Sequence, residues 1–345
     1  ELAIRGHAIE ARLYAEDPDR SFLPATGRIT HLVMPAESRH VRIDTGVRAG
    51  DEISPYYDPM IAKLIVWDED RTSALARMRT ALADVRLAGL TTNIDFLSRV
   101  IATPAFANAE LDTGLIESNH DRLFPVHEPA SDRALALATY TELERNESAA
   151  RAIASDSADP HSPWHLTDGW RLNHDNHHVL VFADGERYVA VTVHYRRDGY
   201  EMEFPGRDGR RTRRHLRGER RGDAIQVWLG DQTVHGSVIV NGPERIVFQG
   251  GTRRVLTLHD PLMQEIDVEV HGGGLAAPMP GKIIAVLVAP GTQVERGMPL
   301  VILEAMKMEH TIQAPSSGTV KEVLYQVGEQ VPEGAALISF EEGTA

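Results

Sequence analysis

The sequence predicts an α+β protein of several domains, on three observations. Near the C-terminus one short β pattern occurs twice, thirty-seven positions apart. Before it, a long Ala- and Leu-rich helical run gives way to short strands recurring about every eight to twelve residues. The first third mixes strands of period two with helices of period about 3.6. The expected order is a mixed α/β lobe over residues 1–120, a helix plus antiparallel β-barrel over 121–271, and an all-β sandwich over 272–345.

At 345 residues the chain is long enough for two or three domains. Its 42% hydrophobic and 25% charged residues describe a soluble globular protein, and no run approaches membrane-spanning length. A net charge of -14 opposes general nucleic-acid binding. The sequence contains no cysteine, which excludes disulfides, cysteine nucleophiles and thiolate metal sites and fits a reducing compartment. Lysine occurs only at Lys63, Lys282, Lys307 and Lys321, leaving few rivals for a lysine-directed modification. The chain opens at Glu1 inside what already reads as a strand, so it is expected to be the C-terminal part of a longer polypeptide.

In the first third, Ile4 to Leu13 alternates apolar residues and ends at Ala15-Glu16-Asp17-Pro18. Phe22-Leu23-Pro24 and Gly27-Arg28-Ile29 read as a turn into another strand. Pro55-Tyr56-Tyr57-Asp58-Pro59 is a turn leading into the apolar strand Met60 to Val66. Leu75, Met78, Leu82 and Val85 sit at helical spacing within Thr72 to Leu87. A second helix, Thr92 to Ala102, starts at a capping Thr91 or Thr92 and stops before Pro104. Glu10, Glu16 and Asp17 read as solvated strand and turn charges, not as a metal cluster.

His-Ala-Ile-Glu-Ala-Arg at 7–12 and Tyr-Tyr-Asp-Pro-Met-Ile-Ala-Lys-Leu at 56–64 resemble the C-terminal lobe of biotin carboxylase, an ATP-grasp enzyme, over Arg5 to Glu117. The resemblance implies a catalytic role for Arg42, in the pair Val41-Arg42: a fixed guanidinium can hold the oxyanion that develops on biotin. On position alone, a lone arginine in a strand is a surface ion-pair partner. The family's phosphate loop, ATP lysines, and magnesium-binding and base glutamates belong upstream, so the chain alone is expected not to hydrolyse ATP.

In the middle, Asp132 to Ser155 reads as one long helix capped by Ser131. Strands follow at His178–Phe182, Arg187–Tyr195, Gly199–Phe204, Arg213–Arg217, Ala224–Leu229, Gln232–Asn241, Arg245–Gln249 and Arg253–Leu258, with Gly, Asp and Asn in the turns. That spacing suggests an antiparallel barrel or sandwich. His165, His174, His177 and His178 have no cysteine or well-spaced carboxylate to complete a zinc site and read as polar loop. The eight arginines from Arg207 to Arg221 lack interleaved aromatics, so exposed hairpin strands are favoured over an RNA surface, with a partner-facing surface as the minority reading. A helix and barrel between such a lobe and a carrier resemble the linking domain of acyl-CoA carboxylase α subunits, which implies docking onto a carboxyltransferase β subunit. Ser162-Pro163-Trp164, Gly169-Trp170-Arg171-Leu172-Asn173 and the run Met306 to Ile312 resemble the 3-methylcrotonyl-CoA carboxylase branch.

In the C-terminal repeat, Ala277-Pro278 recurs as Ala314-Pro315, Gly281 as Gly318, Gly291 as Gly328, Val294 as Val331, Gly297 as Gly334, Leu300 as Leu337 and Glu304 as Glu341. Two such halves close into a sandwich, and Lys307 falls at the turn joining them, projecting into water as a handle. Met306 and Met308 place flexible, polarizable apolar surface where a plain turn would use Gly, Asn or Asp. An exposed ammonium of pKa ~10.4 is a poor nucleophile, so a separate ligase must modify it. Residues Gly274 to Glu342 resemble a biotinyl carrier domain, whose family carries biotin covalently on the lysine of Ala-Met-Lys-Met. The lipoyl domain shares the fold but typically has Asp-Lys-Ala there.

The resemblance implies covalent biotin on Lys307, flanked by Met306 and Met308, with a biotin protein ligase as one partner. Tethering makes delivery of the cofactor intramolecular. ATP, Mg and bicarbonate would be substrates of the upstream part, and no metal site is expected in this chain. The implied function is the α subunit of an acyl-CoA carboxylase, whose biotin takes a carboxyl group from bicarbonate and passes it to an acyl-CoA held by the β subunit. 3-Methylcrotonyl-CoA, in leucine catabolism, is the expected acceptor; geranyl-, propionyl- or acetyl-CoA, or a non-catalytic lipoyl-type carrier, are the alternatives. Nucleic acid and membrane are not expected partners. The expected location is the cytoplasm of a bacterium, or the mitochondrial matrix of a eukaryote.

Overall fold

The computed structural model describes residues 3, 5–205, 211–259, 274–305 and 308–342. The chain divides into two compact units, one of residues 1–79, 89–124 and 265–345 and one of residues 80–88 and 125–264.

The first unit begins with β1 (His7–Tyr14), whose buried Ile9, Ala11 and Leu13 alternate with exposed Glu10 and Arg12, paired at 3.0 Å. Short strands follow: β2 (Glu16–Asp17), β3 (Leu23–Pro24), β4 (Gly27–Arg28) and β5 (His31–Val33). Next come β6 (Val41–Thr45), β7 (Glu52–Ile53) and β8 (Met60–Asp68). β8 is the centre of an antiparallel sheet ordered β1-β8-β6, and its near-continuous burial of Ile61, Ala62, Leu64 and Val66 suits that place. Glu16 departs from the solvated-charge expectation: it is half-buried, and burial followed by repulsion from Asp58 pushes its carboxyl pKa up.

The helix expected to reach Leu87 stops earlier. α1 (Arg71–Asp84) closes with Val85 N–H on the Leu82 carbonyl at 3.2 Å, and the chain turns extended as β9 (Arg86–Ala88) before Gly89 at φ +107°. α2 (Ile94–Ala102) has Asn93 at its N-cap, not Thr91 or Thr92. The Asn93 side chain makes no cap; it accepts from Tyr14 N–H at 2.9 Å and donates to the Arg12 carbonyl at 3.2 Å, tying α2 to β1. Short helices α3 (Pro104–Ala107), α4 (Leu115–Ser118) and α5 (His120–Leu123) complete the lobe, where the Phe22, Phe96 and Phe124 rings meet at 4.9–6.3 Å.

In the second unit α6 (Asp132–Asp156) starts at Ser131, whose Oγ accepts from Ala134 N–H at 3.2 Å. Eight antiparallel strands then close a barrel: β10 (His177–Asp184), β11 (Arg187–Arg196), β12 (Gly199–Pro205), β13 (Arg211–Arg221), β14 (Ala224–Leu229), β15 (Gln232–Asn241), β16 (Glu244–Gln249) and β17 (Thr252–His259). The first half of α6 is buried all round, from Ala134 to Leu143, so the barrel encloses it. Two glycines make room: a Cβ at Gly236 would lie 2.6 Å from Leu137, and one at Gly218 2.6 Å from Tyr140. Glu142 and Arg245 are both buried and joined through Arg245 Nε. Arg145 adds bonds of 3.0 and 3.1 Å to Glu142, and Arg245 also donates to the Gly242 and Glu244 carbonyls at 2.8 and 3.0 Å. Neither charge is left without partners.

The arginine run becomes β13, with residues 206–210 outside the described set. Arg211 and Arg213 pair with Glu203 at 2.8 and 2.7 Å, Arg214 with Asp132 at 3.6 Å, Arg220 with Glu144 at 2.6 Å and Arg221 with Glu219 at 2.8 Å; Arg217 pairs with Asp198. These charges face carboxylates of the same unit. Arg211, then Arg213, hold the Glu203 carboxyl down to about 2 against its burial.

The C-terminal strands are β18 (Gly274–Ala276), β19 (Gly281–Val286), β20 (Gln293–Val294), β21 (Pro299–Ala305), β22 (Met308–Gln313), β23 (Gly318–Val323), β24 (Gln330–Val331) and β25 (Ala336–Glu342). They form two four-stranded sheets, β18-β25-β23-β20 and β22-β21-β19-β24. Adding thirty-seven to β19, β20 and β21 gives β23, β24 and β25, and each strand lands in the other sheet. The irregularity between Ile283 and Ala285 repeats between Val320 and Glu322. Gly291 N–H donates to the Val320 carbonyl and Gly328 N–H to the Ile283 carbonyl, both at 2.7 Å. Leu300, Leu303, Val320, Leu337 and Ile338 fill the core between the sheets. Among the described residues no helix is long and apolar enough to cross a membrane.

Two outcomes are expected. Glu142→Ala strands Arg245 and destabilises the barrel by about 3–5 kcal/mol, whereas Glu142→Leu combined with Arg245→Met recovers most of that loss; hydrogen exchange at the α6 amides measures both. Glu203, with its pKa depressed from 4.5 to about 2, contributes stability that is full above pH 4.5 and lost as pH falls through about 2. Exchange protection of the β12–β13 ladder is expected to fall across that window, and to lose that pH dependence in Glu203→Gln.

Candidate functional site

The β21–β22 hairpin is built by alternation. Val301, Leu303 and Ala305 point into the core, and Glu304 and Glu309 are exposed as cross-strand partners. The ladder runs to its last rung at Ala305 and Met308, so only positions 306 and 307 separate the strands. Met306 and Lys307, singled out by the sequence, lie outside the described residues; Met308 opens β22. Glu304 is also opposite Lys282 on β19, and Lys282 is opposite Gln330 on β24. One exposed row, Gln330–Lys282–Glu304–Glu309, therefore crosses the sheet to the hairpin end. His310 follows in β22, half-buried, with a pKa lowered by burial and a buried Nε2 that has no hydrogen-bond partner among the described residues. From the sequence it stands only inside the run Met306 to Ile312, with no role of its own.

In each sheet one glycine lets neighbouring strands approach closely. A Cβ at Gly281 would lie 2.8 Å from the Glu304 carbonyl, and one at its repeat mate Gly318 2.3 Å from the Glu341 carbonyl. A prosthetic group at position 307 is compatible with this frame: the side chains flanking the connection at Glu304 and Glu309 are exposed and enclose nothing.

Arg42 stands on β6 opposite Ile65 of β8. Its side chain is 72% exposed, with Nε and Nη2 donating to the two Asp44 oxygens at 2.8 and 3.0 Å. That pairing raises the guanidinium pKa further and fixes its plane. Asp44 was not picked out from the sequence, although the i, i+2 spacing places it on the same face of the strand. The lobe touches the C-terminal sandwich through Tyr56, whose hydroxyl lies 3.3 Å from Gln330 Oε1, and through Leu23, which packs against the sandwich core.

In the other unit, the segment between α6 and β10 exposes Trp164, Leu166, Trp170 and Leu172, with Trp164 at 91%. Its far end is pinned. Asp175 accepts from Arg196 at 3.0 and 3.1 Å and lies 2.9 Å from His194 Nδ1, and Arg196 followed by His194 depresses its pKa. His165 reaches Ser157 Oγ at 3.4 Å, and His177 Nδ1 the Asp175 carbonyl at 2.8 Å.

Two sheets exchanging under a thirty-seven-residue shift, with a two-residue connection between the repeated halves, match a domain of the biotinyl/lipoyl type. The sequence families agree along the chain. Residues 10–118 match the biotin carboxylase C-terminal domain, 131–261 the BT domain of the methylcrotonyl-CoA carboxylase α subunit, and 274–340 the biotin-requiring enzyme domain. Domain by domain, the chain is similar to biotin-dependent acyl-CoA carboxylase α subunits. It is 37% identical to the mitochondrial methylcrotonoyl-CoA carboxylase subunit alpha of Dictyostelium discoideum, over 98% of this chain and 49% of that protein. To the mouse protein of the same name (Mus musculus) it is 35% identical, over 99% of this chain and 48% of that one. With the human mitochondrial propionyl-CoA carboxylase alpha chain (Homo sapiens) it shares 32%, over 99% and 47%. The chain spans about half the length of these relatives.

Gly318→Ala is expected to destabilise the carrier by about 1–3 kcal/mol, through overpacking against backbone. Gly281→Ala, with its looser contact, is expected to do less. The loss of exchange protection in β23–β25 against β19–β21 ranks the two.

Proposed function

We propose that Lys307 carries biotin through an amide bond and that the whole protein is the biotin-carrying α subunit of an acyl-CoA carboxylase. The observation that carries this reading is the Ala305–Met308 rung, which leaves Ala-Met-Lys-Met at the junction of a two-sheet carrier. Biotin supplies a ureido nitrogen that takes up and gives back a carboxyl group. This chain's residues do the rest. Met306 and Met308 present the handle to a biotin protein ligase, the carrier keeps it in water, and Arg42, oriented by Asp44, stabilises negative charge at the carboxylase lobe.

The domain limits on this reading are 1–120 for the lobe, 121–271 for the linking domain and 272–345 for the carrier. ATP, Mg and bicarbonate are handled by a segment absent from this sequence, so the chain alone does not turn over. The exposed Trp164, Leu166, Trp170 and Leu172, on a segment pinned through Asp175, are the docking surface for a carboxyltransferase β subunit. That subunit holds the acyl-CoA. 3-Methylcrotonyl-CoA is favoured by the methylcrotonoyl-CoA carboxylase relatives, and propionyl-CoA is the second reading because of the 32% identity to the human propionyl-CoA enzyme. The protein works in the mitochondrial matrix if its source is eukaryotic and in the cytoplasm if bacterial.

Full-length protein purified with its partner is expected to be retained on avidin and to fix bicarbonate onto methylcrotonyl-CoA faster than onto geranyl- or propionyl-CoA. Lys307→Arg abolishes retention and fixation together. An unmodified Lys307 in the mass spectrum of the native protein sinks the reading; a preference for another acyl-CoA moves only the substrate.

A further inference from the structure

The quasi-twofold carrier has two equivalent sheet edges, β24 and β20, and they carry the same residue at matching positions, Gln330 and Gln293. The carboxylase lobe touches one of them. Tyr56, 69% exposed in the turn before β8, lies within hydrogen-bond distance of Gln330, and Leu23 on β3 packs against the carrier core. What distinguishes the two edges is the neighbouring strand: Gln330 is opposite Lys282, and Gln293 is opposite Thr319. The touched edge is thus the one with a cation beside it. On the lobe, the exposed carboxylate Asp58 stands two residues from Tyr56.

The touched edge also belongs to the sheet that ends in the hairpin. From Gln330 the exposed row runs through Lys282 and Glu304 to Glu309, three strand spacings or about 14 Å. Contact at β24 therefore brings the Lys307 end of the carrier to the carboxylase side. Contact at β20 would present the opposite sheet.

We propose that Tyr56 and Leu23 form the docking point at which the carboxylase lobe receives its carrier, and that Lys282 and Gln330 select the edge that delivers the hairpin. The proposal rests on biotin being carried at Lys307. Tyr56 acts here as a positioning residue: it meets the carrier and not the reacting atoms. Docking matters for tethered biotin and is irrelevant to free biotin, which needs no carrier.

The test uses the full-length biotinylated subunit with its partner. Tyr56→Ala and Gln330→Ala are each expected to lower acyl-CoA carboxylation roughly 2- to 10-fold, the worth of one hydrogen bond with its packing. Together they are expected to do little more than either alone. ATP cleavage stimulated by added free biotin stays unchanged in both. A parallel fall in the free-biotin reaction, or no fall in the tethered one, overturns the proposal. A second readout needs no turnover; the 345 residues of this chain contribute no competing cysteine, and any elsewhere in the complex is replaced first. Tyr56→Cys with Gln330→Cys is expected to be bridged by a short bis-maleimide at least several-fold faster than Tyr56→Cys with Gln293→Cys, the reagent spanning the length of the lost side chains. Equal rates overturn the docking. If Lys307 proves unmodified the biotin reading fails on its own, and the cross-link ratio still decides whether the lobe selects the β24 edge.

Discussion

Neither thirty-seven-residue half of the carrier can bury its apolar face alone, and the C-terminal architecture follows from that constraint. Val294, Leu300 and Leu303 of the first copy need Val320, Val331 and Leu337 of the second as their other wall. Strands from each copy are exchanged between the sheets, so the halves cannot separate without opening both. The junction of the copies must therefore lie at an end of the sandwich, as a short connection whose flanking side chains face water. A modifying enzyme needs such a place, because it must reach one lysine without unfolding anything.

The barrel solves a different problem with polar atoms. A helix enclosed by eight strands has no solvent face along its first half, so a carboxylate such as Glu142 is tolerated only with several donors around it. Farther along the same helix, Glu144 meets Arg220, and Glu147 accepts from the Tyr200 hydroxyl. Tyr200 answers with a pKa pushed well above its ordinary value, by burial first and Glu147 second. These contacts fix the axial position of α6. They also fix the start of the segment that exposes Trp164 and Trp170, whose other end is held through Asp175. A flexible loop with the same side chains would lose more conformational entropy when a partner ordered it.

Much of this was legible in the sequence, for reasons that differ by region. The Ser131 cap and the Ala/Leu run set α6 locally, and the turn residues set the barrel strands, two of which begin and end where expected: Ala224–Leu229 and Gln232–Asn241. The repeat foretold a sandwich of two matching halves, because symmetry leaves the same mark in sequence and structure, whereas the exchange of strands between the sheets shows only in the fold. What escaped was what depends on distant neighbours. Asn93 looked like an ordinary residue inside a capped helix start, yet its amide is engaged by Arg12 and Tyr14, some eighty positions away. Leu87 continued the helical spacing but lies beyond the helix, because tertiary placement overrode propensity. Glu16 looked solvated, but the fold half-buries it and then brings Asp58 near it. At the candidate site the lysine motif was visible, whereas Asp44 and Gln330 carry no signature, and Tyr56 stood in a family motif that said nothing of its contact with Gln330.

A carrier that serves two catalytic sites should be held loosely at each. Tethering already keeps the carrier at a high effective concentration, so a docking contact worth many kcal/mol would trap it on one side. A single hydrogen bond from an exposed tyrosine, worth about 0.5–1.5 kcal/mol, biases the population without arresting it. The weakness of the Tyr56–Gln330 contact is then what the proposed function requires. Selectivity between two similar edges does not need strength either: the exchange of Thr319 for its mate Lys282 beside the touched glutamine makes the edges unequal, and only the difference between them matters. On this view the repeat supplies stability, and its few broken symmetries supply direction.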